Sequence, residues 1–380
     1  MEQVVVNHMQ CSAFPGVRRV GLGLSWVACI LLAFPLVSCQ TTEFGSDSSE
    51  AENWRGFTVR GPEFSSAAAW KHMRALNQLG SRVSGSAGSA AVRQYFRQSL
   101  RKFDIALMEH RVSVAVVTGR TVELTHLIAV IPGRSRDVLL LAAHYDTPPE
   151  EASPPGRHDQ RASGAALLLE LAGSLDAGQT PPYTIWLSFI DGDSLEAGPD
   201  ATPRVRLGSQ SLLDEWTREQ EFSRIRAAIF FGNIGDRDRP IVRDVDSPRV
   251  YREIFWEAAS DLGYSETFPP DSHYEELATG RVTFAQAPLR ASIALANQRS
   301  FERADLDVHL DPASPDSQEP KSPAETGGRN RRPSAGFEAI GKVTLEALSR
   351  IAFRLQKIDQ FAQSPLTAGR ETSRERVGRD

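Results

Sequence analysis

Apolar side chains recur along the chain in two rhythms. After Ser65, residues Ala67, Trp70, Met73, Leu76 and Leu79 fall about three apart and the run closes on Gly80, the spacing of an amphipathic helix with a glycine stop. A second helix is predicted over residues 90–103. The rhythm then changes. Val112, Val114, Val116 and Val117, followed by Val122, Leu124 and residues 127–131, predict a strand pair around Gly119, with Pro132 and Gly133 as a turn. Residues 138–143 are apolar without a break, which suits a strand buried on both faces. Beyond them the predicted elements alternate: helix 162–175, strand 184–190, helix 209–216, strand 227–234, helix 250–262, strand 291–296 and helix 337–355. Such alternation marks an α/β domain, a parallel or mixed sheet with helices on either side.

Two stretches break the pattern. Residues 311–336 are rich in Pro, Ser, Gly and charge and read as a long surface loop. Residues 362–380 form a polar tail. No internal repeat stands out, and residues 57–361 are read as one domain.

The N-terminus reads as an address. Arg18 and Arg19 precede an almost uncharged stretch that ends Leu36-Val37-Ser38-Cys39. A cationic start, a short apolar segment and small residues ahead of a cut are the parts of a secretory signal. The small residues before Cys39 fit a bacterial lipobox, in which the Cys39 thiol is acylated and becomes the first residue of the mature chain. The competing reading is an uncleaved anchor, because residues 20–37 are just long enough to span a bilayer. Either way the remainder is held at a membrane of the bacterial envelope. Residues 1–38 are thus expected to be a signal peptide and residues 39–56, polar and poor in aliphatic side chains, a tether.

Composition narrows the chemistry. Hydrophobic residues at 41% and charged residues at 24% exclude a multi-span membrane protein and wholesale disorder. With 43 Lys+Arg against 48 Asp+Glu the net charge is −5, which gives no drive toward phosphate backbones and excludes nucleic acid as a partner. A monomer is expected. Cys11, Cys29 and Cys39 are the only cysteines, so cleavage leaves neither a disulfide pair nor a cysteine set for zinc. There is no Gly-x-Ser-x-Gly elbow, no phosphate-cradling loop ending Gly-Lys-Ser/Thr and no Cys-x-x-Cys.

Acidic and histidine residues cluster near the ends of predicted strands, where open α/β sheets place their sites. His144-Tyr145-Asp146 ends the first buried strand, and a His and Asp two apart in an extended segment point the same way, the carboxylate fixing an imidazole that binds metal. Asp159 lies ahead of the helix beginning near Ala162, where capping is the bland role. Asp191-Gly192-Asp193 ends the next strand and also reads as turn chemistry. Asp271-Ser272-His273 and Asp305-Leu306-Asp307-Val308-His309 flank the strand at 291–296; taken singly, His273 and His309 read as surface histidines.

The ordered series Leu79-Gly80-Ser81-Arg82-Val83-Ser84-Gly85-Ser86, Ile131-Pro132-Gly133, His144-Tyr145-Asp146, Asp159 with Ala162-Ser163-Gly164, and Phe189-Ile190-Asp191-Gly192 resembles the zinc aminopeptidases with co-catalytic metals. Gly235-Asp236-Arg237-Asp238 and Asp271-Ser272-His273 lean toward their relatives, the glutaminyl-peptide cyclotransferases. The resemblance runs from Ala67 to about His309 and resumes over residues 337–352. It implies a three-layer α/β/α sandwich with a mixed, mostly parallel sheet, and a zinc-dependent activity on peptide N-termini. It implies Asp159, His144 and His309 as metal ligands, Asp193 at the place of the general acid/base glutamate, and Asp271 as a support for proton transfer.

The chain departs from that pattern at two ligand positions. Where the family has two consecutive glutamates, Asp193 is followed by Ser194, and the carboxylate expected in the strand at 227–234 aligns with Gly232. The expectation is therefore a single zinc ion held by His144, Asp159 and His309, with Glu196 and Asp200 as spare carboxylates. Asp in place of Glu withdraws the 193 carboxylate by one methylene, and a displacement of about 1 Å costs ~100-fold, so slow catalysis or an unusual substrate is expected. The rival expectation is an inactive family member that binds a partner in the envelope.

Overall fold

The computed structural model describes residues 63–103, 105–148, 161–176, 180–195, 206–235, 239–277, 284, 289, 291–297 and 335–362. All of them fall in one unit spanning Ser48–Asp380. Helix α1 (Ser66–Gln78) starts where Ser65 Oγ accepts the Ala68 N–H at 3.2 Å and ends ahead of Gly80, whose φ of 76° is open to glycine. Helix α2 (Ala87–Leu100) begins three residues before its predicted start, because Ser86 Oγ accepts the Ser89 N–H. Strands β1 (Ala106–Ala115) and β2 (Thr121–Ile131) form the predicted hairpin, with Gly119 at φ 75° in its turn.

The remaining elements alternate as predicted: β3 (Ser135–His144), α3 (Ser163–Asp176), β4 (Tyr183–Ile190), α4 (Leu207–Arg218), β5 (Ile225–Phe231), β6 (Arg243–Asp244), α5 (Arg249–Asp261), β7 (Tyr274–Glu275), β8 (Ser292–Leu295) and α6 (Ala335–Ala362). Several boundaries move. β5 stops at Phe231 rather than 234, since the Ile234 N–H leaves the sheet for Ser163 Oγ at 3.0 Å. α4 begins two residues early, and α6 starts inside the stretch expected to be loop and runs seven residues past its predicted end.

Six strands form one sheet in the order β1-β2-β4-β3-β5-β8. β1, β2 and β4 pair antiparallel, whereas β4, β3, β5 and β8 pair parallel, so the sheet is mixed and mostly parallel as the resemblance implied. β3, at the centre of the parallel part, carries the unbroken apolar run. Leu139, Leu141 and Ala143 pack with α1, α3, α5 and α6 on one face, and Val138, Leu140 and Ala142 pack with Leu212, Leu213 and Trp216 of α4 on the other. Two-residue alternation inside a continuous apolar strand thus serves two separate cores.

The ends of the described domain meet. The Phe64 ring lies where a Cβ on Gly341 of α6 would be 2.4 Å from it, and Lys342 pairs with Glu63 and Glu338. Farther along α6, Asp359 accepts from Arg226 of β5 and from Tyr183 of β4. Among the described residues no helix is long and apolar enough to cross a membrane.

Candidate functional site

Parallel pairing aligns the strand ends. His144 pairs with Ile190, and Ala143 with Phe231, so Asp191 and Gly232 leave the sheet level with His144 at its C-terminal edge. Open α/β sheets hold their ligands there. Gly164, in the first turn of α3, fits against this edge because it lacks a side chain: a Cβ would stand 2.9 Å from Ala143 Cβ and 2.9 Å from the Phe231 carbonyl oxygen.

Asp146 is fully buried beside His144. Its Oδ1 lies 3.3 Å from His144 Nδ1, and its Oδ2 accepts the Ser194 N–H at 2.7 Å. Burial opposes the charge on Asp146, yet the His144 imidazole and the Ser194 N–H hold its carboxyl below the usual carboxylate range. An ionised carboxylate only accepts, so Nδ1 of His144 carries the proton and Nε2 presents a lone pair. Ser194 turns its hydroxyl to the Asp146 carbonyl at 3.4 Å.

Two further buried carboxylates follow β4. Asp191 accepts from Ser84 Oγ at 2.7 Å and from the Thr125 N–H at 3.0 Å, and burial together with the charge of Asp146 pushes its carboxyl up to about 6. Asp193 accepts the Ser209 N–H at 2.7 Å and the Ser209 hydroxyl at 2.8 Å, at the start of α4. Burial, then the charge of Asp146, raises its carboxyl above the ordinary range. Both oxygens of Asp193 are thus engaged in anchoring a helix as well as standing in the field of His144 and Asp146.

His126 of β2 completes the anchor. The Asp191 N–H donates to its Nδ1 at 3.2 Å, so the proton sits on Nε2, which donates to Ser211 Oγ at 3.1 Å; Ser211 in turn donates to the Gly208 carbonyl at 2.8 Å. Burial, then the charge of His110, pushes His126 down to about 3 and keeps it neutral. On the other side Arg82, 1% exposed, donates through Nε to the Tyr145 carbonyl at 2.8 Å and through Nη1 to the Gly80 carbonyl at 3.2 Å. Its burial lowers the guanidinium to about 10, while Asp146 acts in the opposite sense. The stretch from Leu79 to Ser86 is therefore a clamp: Arg82 holds the turn after His144, and Ser84 holds Asp191.

The structure brings His144 and Asp193 together through Asp146. Asp271 is exposed on a turn whose backbone is gripped by Arg243 and Trp256, both bonded to Ser272 Oγ and the Pro269 carbonyl. Among the described residues no hydrogen bond or ion pair links Asp271 to the His144 cluster. Asp159, His309, Cys39, Glu196 and Asp200 lie outside the described residues. Ser84 belongs to the quoted run at residues 79–86 and Ser209 opens a predicted helix, but neither they nor His126 were singled out from the sequence as site residues.

The double acceptor role of Asp193 makes a pair of substitutions informative. Asp193→Asn keeps an acceptor for the Ser209 N–H and lets the hydroxyl accept from the new amide, so its stability is expected to stay within about 1 kcal/mol of the parent. Asp193→Ala strands both donors and is expected to cost about 2 kcal/mol in urea unfolding. Equal losses from the two variants would contradict the anchoring role.

Residues 126–290 match the model of Peptidase family M28. Among curated proteins, none matches by sequence. Among solved structures, the chain is similar to the glutaminyl cyclase of an Acidobacteriales bacterium, with 22% identity and a TM-score of 0.61 over 77% of this chain and 97% of that one. The glutaminyl cyclase of Porphyromonas gingivalis gives 20% identity and a TM-score of 0.59 over 76% and 98%. A Zn-dependent exopeptidase from Parabacteroides distasonis gives 20% and 0.58 over 76% and 98%. The family that the ordered motifs resemble is the one whose model matches residues 126–290, and the fold is that of these solved structures.

Proposed function

We propose that the protein is a zinc-dependent enzyme of the bacterial envelope, anchored by a lipid on Cys39, that acts on peptide N-termini by glutaminyl cyclotransfer or aminopeptidase hydrolysis. The observation that carries this reading is the His144 and Asp146 pair: an imidazole at the sheet edge with its Nδ1 held by a buried, ionised carboxylate, which leaves Nε2 as the nitrogen for a metal. That is the partner geometry of a metal-ligating histidine. Ser194 and Gly232 supply no carboxylate, so the donor set fits one ion rather than two, with Asp159 and His309 as the other ligands. Zinc bound there would polarise a substrate amide carbonyl.

The chain's own residues then divide the work. Asp146 orients His144 and keeps its tautomer fixed. Asp193, whose carboxyl is raised by burial and then by Asp146, serves as the group that exchanges a proton, as a general acid/base must. Arg82 and Ser84 hold the two loops that present them.

The cleft of the full chain is expected to retain one equivalent of zinc and to turn over N-terminal glutaminyl peptides or aminoacyl amides slowly. His144→Ala should lose the cleft equivalent; Asp193→Asn should keep it and lose activity by about 100-fold or more. A second reading, an inactive family member that binds envelope partners, rests on the engagement of both Asp193 oxygens by Ser209 and on the two missing ligands. Absence of zinc in the full chain, together with melting unchanged by zinc or chelator, would decide for it.

A further inference from the structure

His110, Glu215 and Glu219 stand apart from the cleft and bring one donor atom each within 4.8 Å of one another. Their meeting follows from register. His110 of β1 pairs with His126 of β2, and residues directly opposite in an antiparallel pair face the same side of the sheet. His126 reaches Ser211 of α4, so His110 faces α4 as well. On that helix Glu215 lies one turn beyond Ser211 and Glu219 one turn farther, stacked on one face. The row His110, His126, Ile190, His144 crosses the sheet on four neighbouring strands, which puts His110 about 14 Å from His144 at the usual strand spacing.

The two carboxylates sit where a helix does not favour them. They occupy the last turn and the C-cap of α4, where backbone carbonyls carry partial negative charge, and like charges four residues apart repel. Arg218 pairs with Glu215, whose side chain is 19% exposed. A cation between the two glutamates and the imidazole removes the repulsion and satisfies the carbonyl end of the helix together. One imidazole nitrogen and two carboxylate oxygens make a donor set suited to zinc, with a fourth position left for water. Tetrahedral zinc places its ligand atoms about 3.4 Å apart, a closure within reach of rotamer changes in the exposed Glu219 side chain.

We propose that His110, Glu215 and Glu219 form a second zinc-type site, independent of the cleft, that ties the end of α4 to the edge strand β1. Because α4 also carries Ser209 and Gly208 against the loop at residues 191–193, the ion would brace the helix on which that loop rests.

The test uses the full chain with His144→Ala, which removes the cleft ligand. Zinc is titrated against a competing chelator, and cobalt is substituted to read its visible absorption. The expected result is one bound equivalent and a cobalt spectrum of nitrogen and oxygen ligation, both weakened at least about tenfold by His110→Ala and by Glu219→Gln. Arg218→Ala, which keeps all three donors, should retain the equivalent. Circular dichroism confirms that each variant is folded; Glu219, exposed at the helix end, makes its variant the safer of the two. Failure of the His144→Ala chain to bind an equivalent overturns the site, as does binding that neither substitution weakens.

Discussion

Gly208→Ala is expected to destabilise the protein by at least about 3 kcal/mol, a fall of roughly 5–10 °C in melting temperature. A Cβ at Gly208 would stand 1.9 Å from the Asp191 carbonyl oxygen, 2.8 Å from its carbon and 3.0 Å from the Asp193 nitrogen. All three are backbone atoms of a loop with little room to retreat. Gly192 within it has a φ of 87° and is packed against Leu124; Asp191 is held by Ser84 and Thr125; Asp193 is held by Ser209. Relief therefore means moving α4 outward, which breaks the bond from the Gly208 N–H to the Gly192 carbonyl and shifts Ser209 from Asp193. Gly119→Ala provides the contrast. Its φ is 75° but a Cβ there meets nothing within 4 Å, so only backbone strain of about 1 kcal/mol is expected. Similar melting shifts for the two variants would refute the steric account.

Acid should loosen the fold from pH 6.5 downward, earlier than carboxylate protonation alone would. His126 is pushed down to about 3 by burial and then by His110, and His72 to about 4 by burial and then by Lys102 and Lys71. Both titrate near 6.5 once unfolded, so below that pH the unfolded chain binds more protons than the folded one and stability falls as pH falls. Each histidine contributes about 1.4 kcal/mol per pH unit between its folded and unfolded values. Asp191 acts in the opposite sense: its carboxyl is raised to about 6, the folded state takes up the proton first, and stability from this group grows as pH drops from 6 toward 4. Asp193, raised by the same causes, adds to that opposing trend, so each histidine's contribution is read by removing it rather than from the net slope. His126→Asn keeps an acceptor for the Asp191 N–H and removes one titrating group. Its urea stability should be lower at pH 7.5, and its slope between pH 6 and 4 should show about 1.4 kcal/mol per pH unit less acid loss than the parent's. Parallel pH profiles for parent and variant would show that His126 does not set the slope.

Much of the layout was legible because it depends on local periodicity. The apolar run at 138–143 announced a strand covered on both sides, and Leu139 and Leu140 do point into separate cores. Ser65 and Gly80 marked both ends of α1. Start points were harder where small residues replace apolar ones: Ser86-Ala87-Gly88 carries no helical rhythm, yet the Ser86 hydroxyl starts α2. The candidate site divides similarly. That His144 and Asp146 act on one another followed from their spacing in an extended segment. That Asp193 holds Ser209, sixteen residues on, or that Asp191 is bonded to Ser84 and Thr125, depends on how the loop after β4 meets α4 and β2, which spacing does not encode. The meeting of His110 with Glu215 and Glu219 rests on strand register and on the seating of a distant helix, and was invisible for the same reason.

The contact between the two ends of the domain sets an order for its assembly. Phe64 rests on Gly341, and Asp359 closes onto Arg226 and Tyr183, so neither the first helix nor the open side of the sheet has its cover until α6 exists. A chain still being synthesised is thus a set of partners waiting for α6, and shortening it ahead of Asp359 removes the clasp, whereas additions after residue 362 leave it intact. Maturation is gated by one late helix: only when α6 docks can the elements made before it settle.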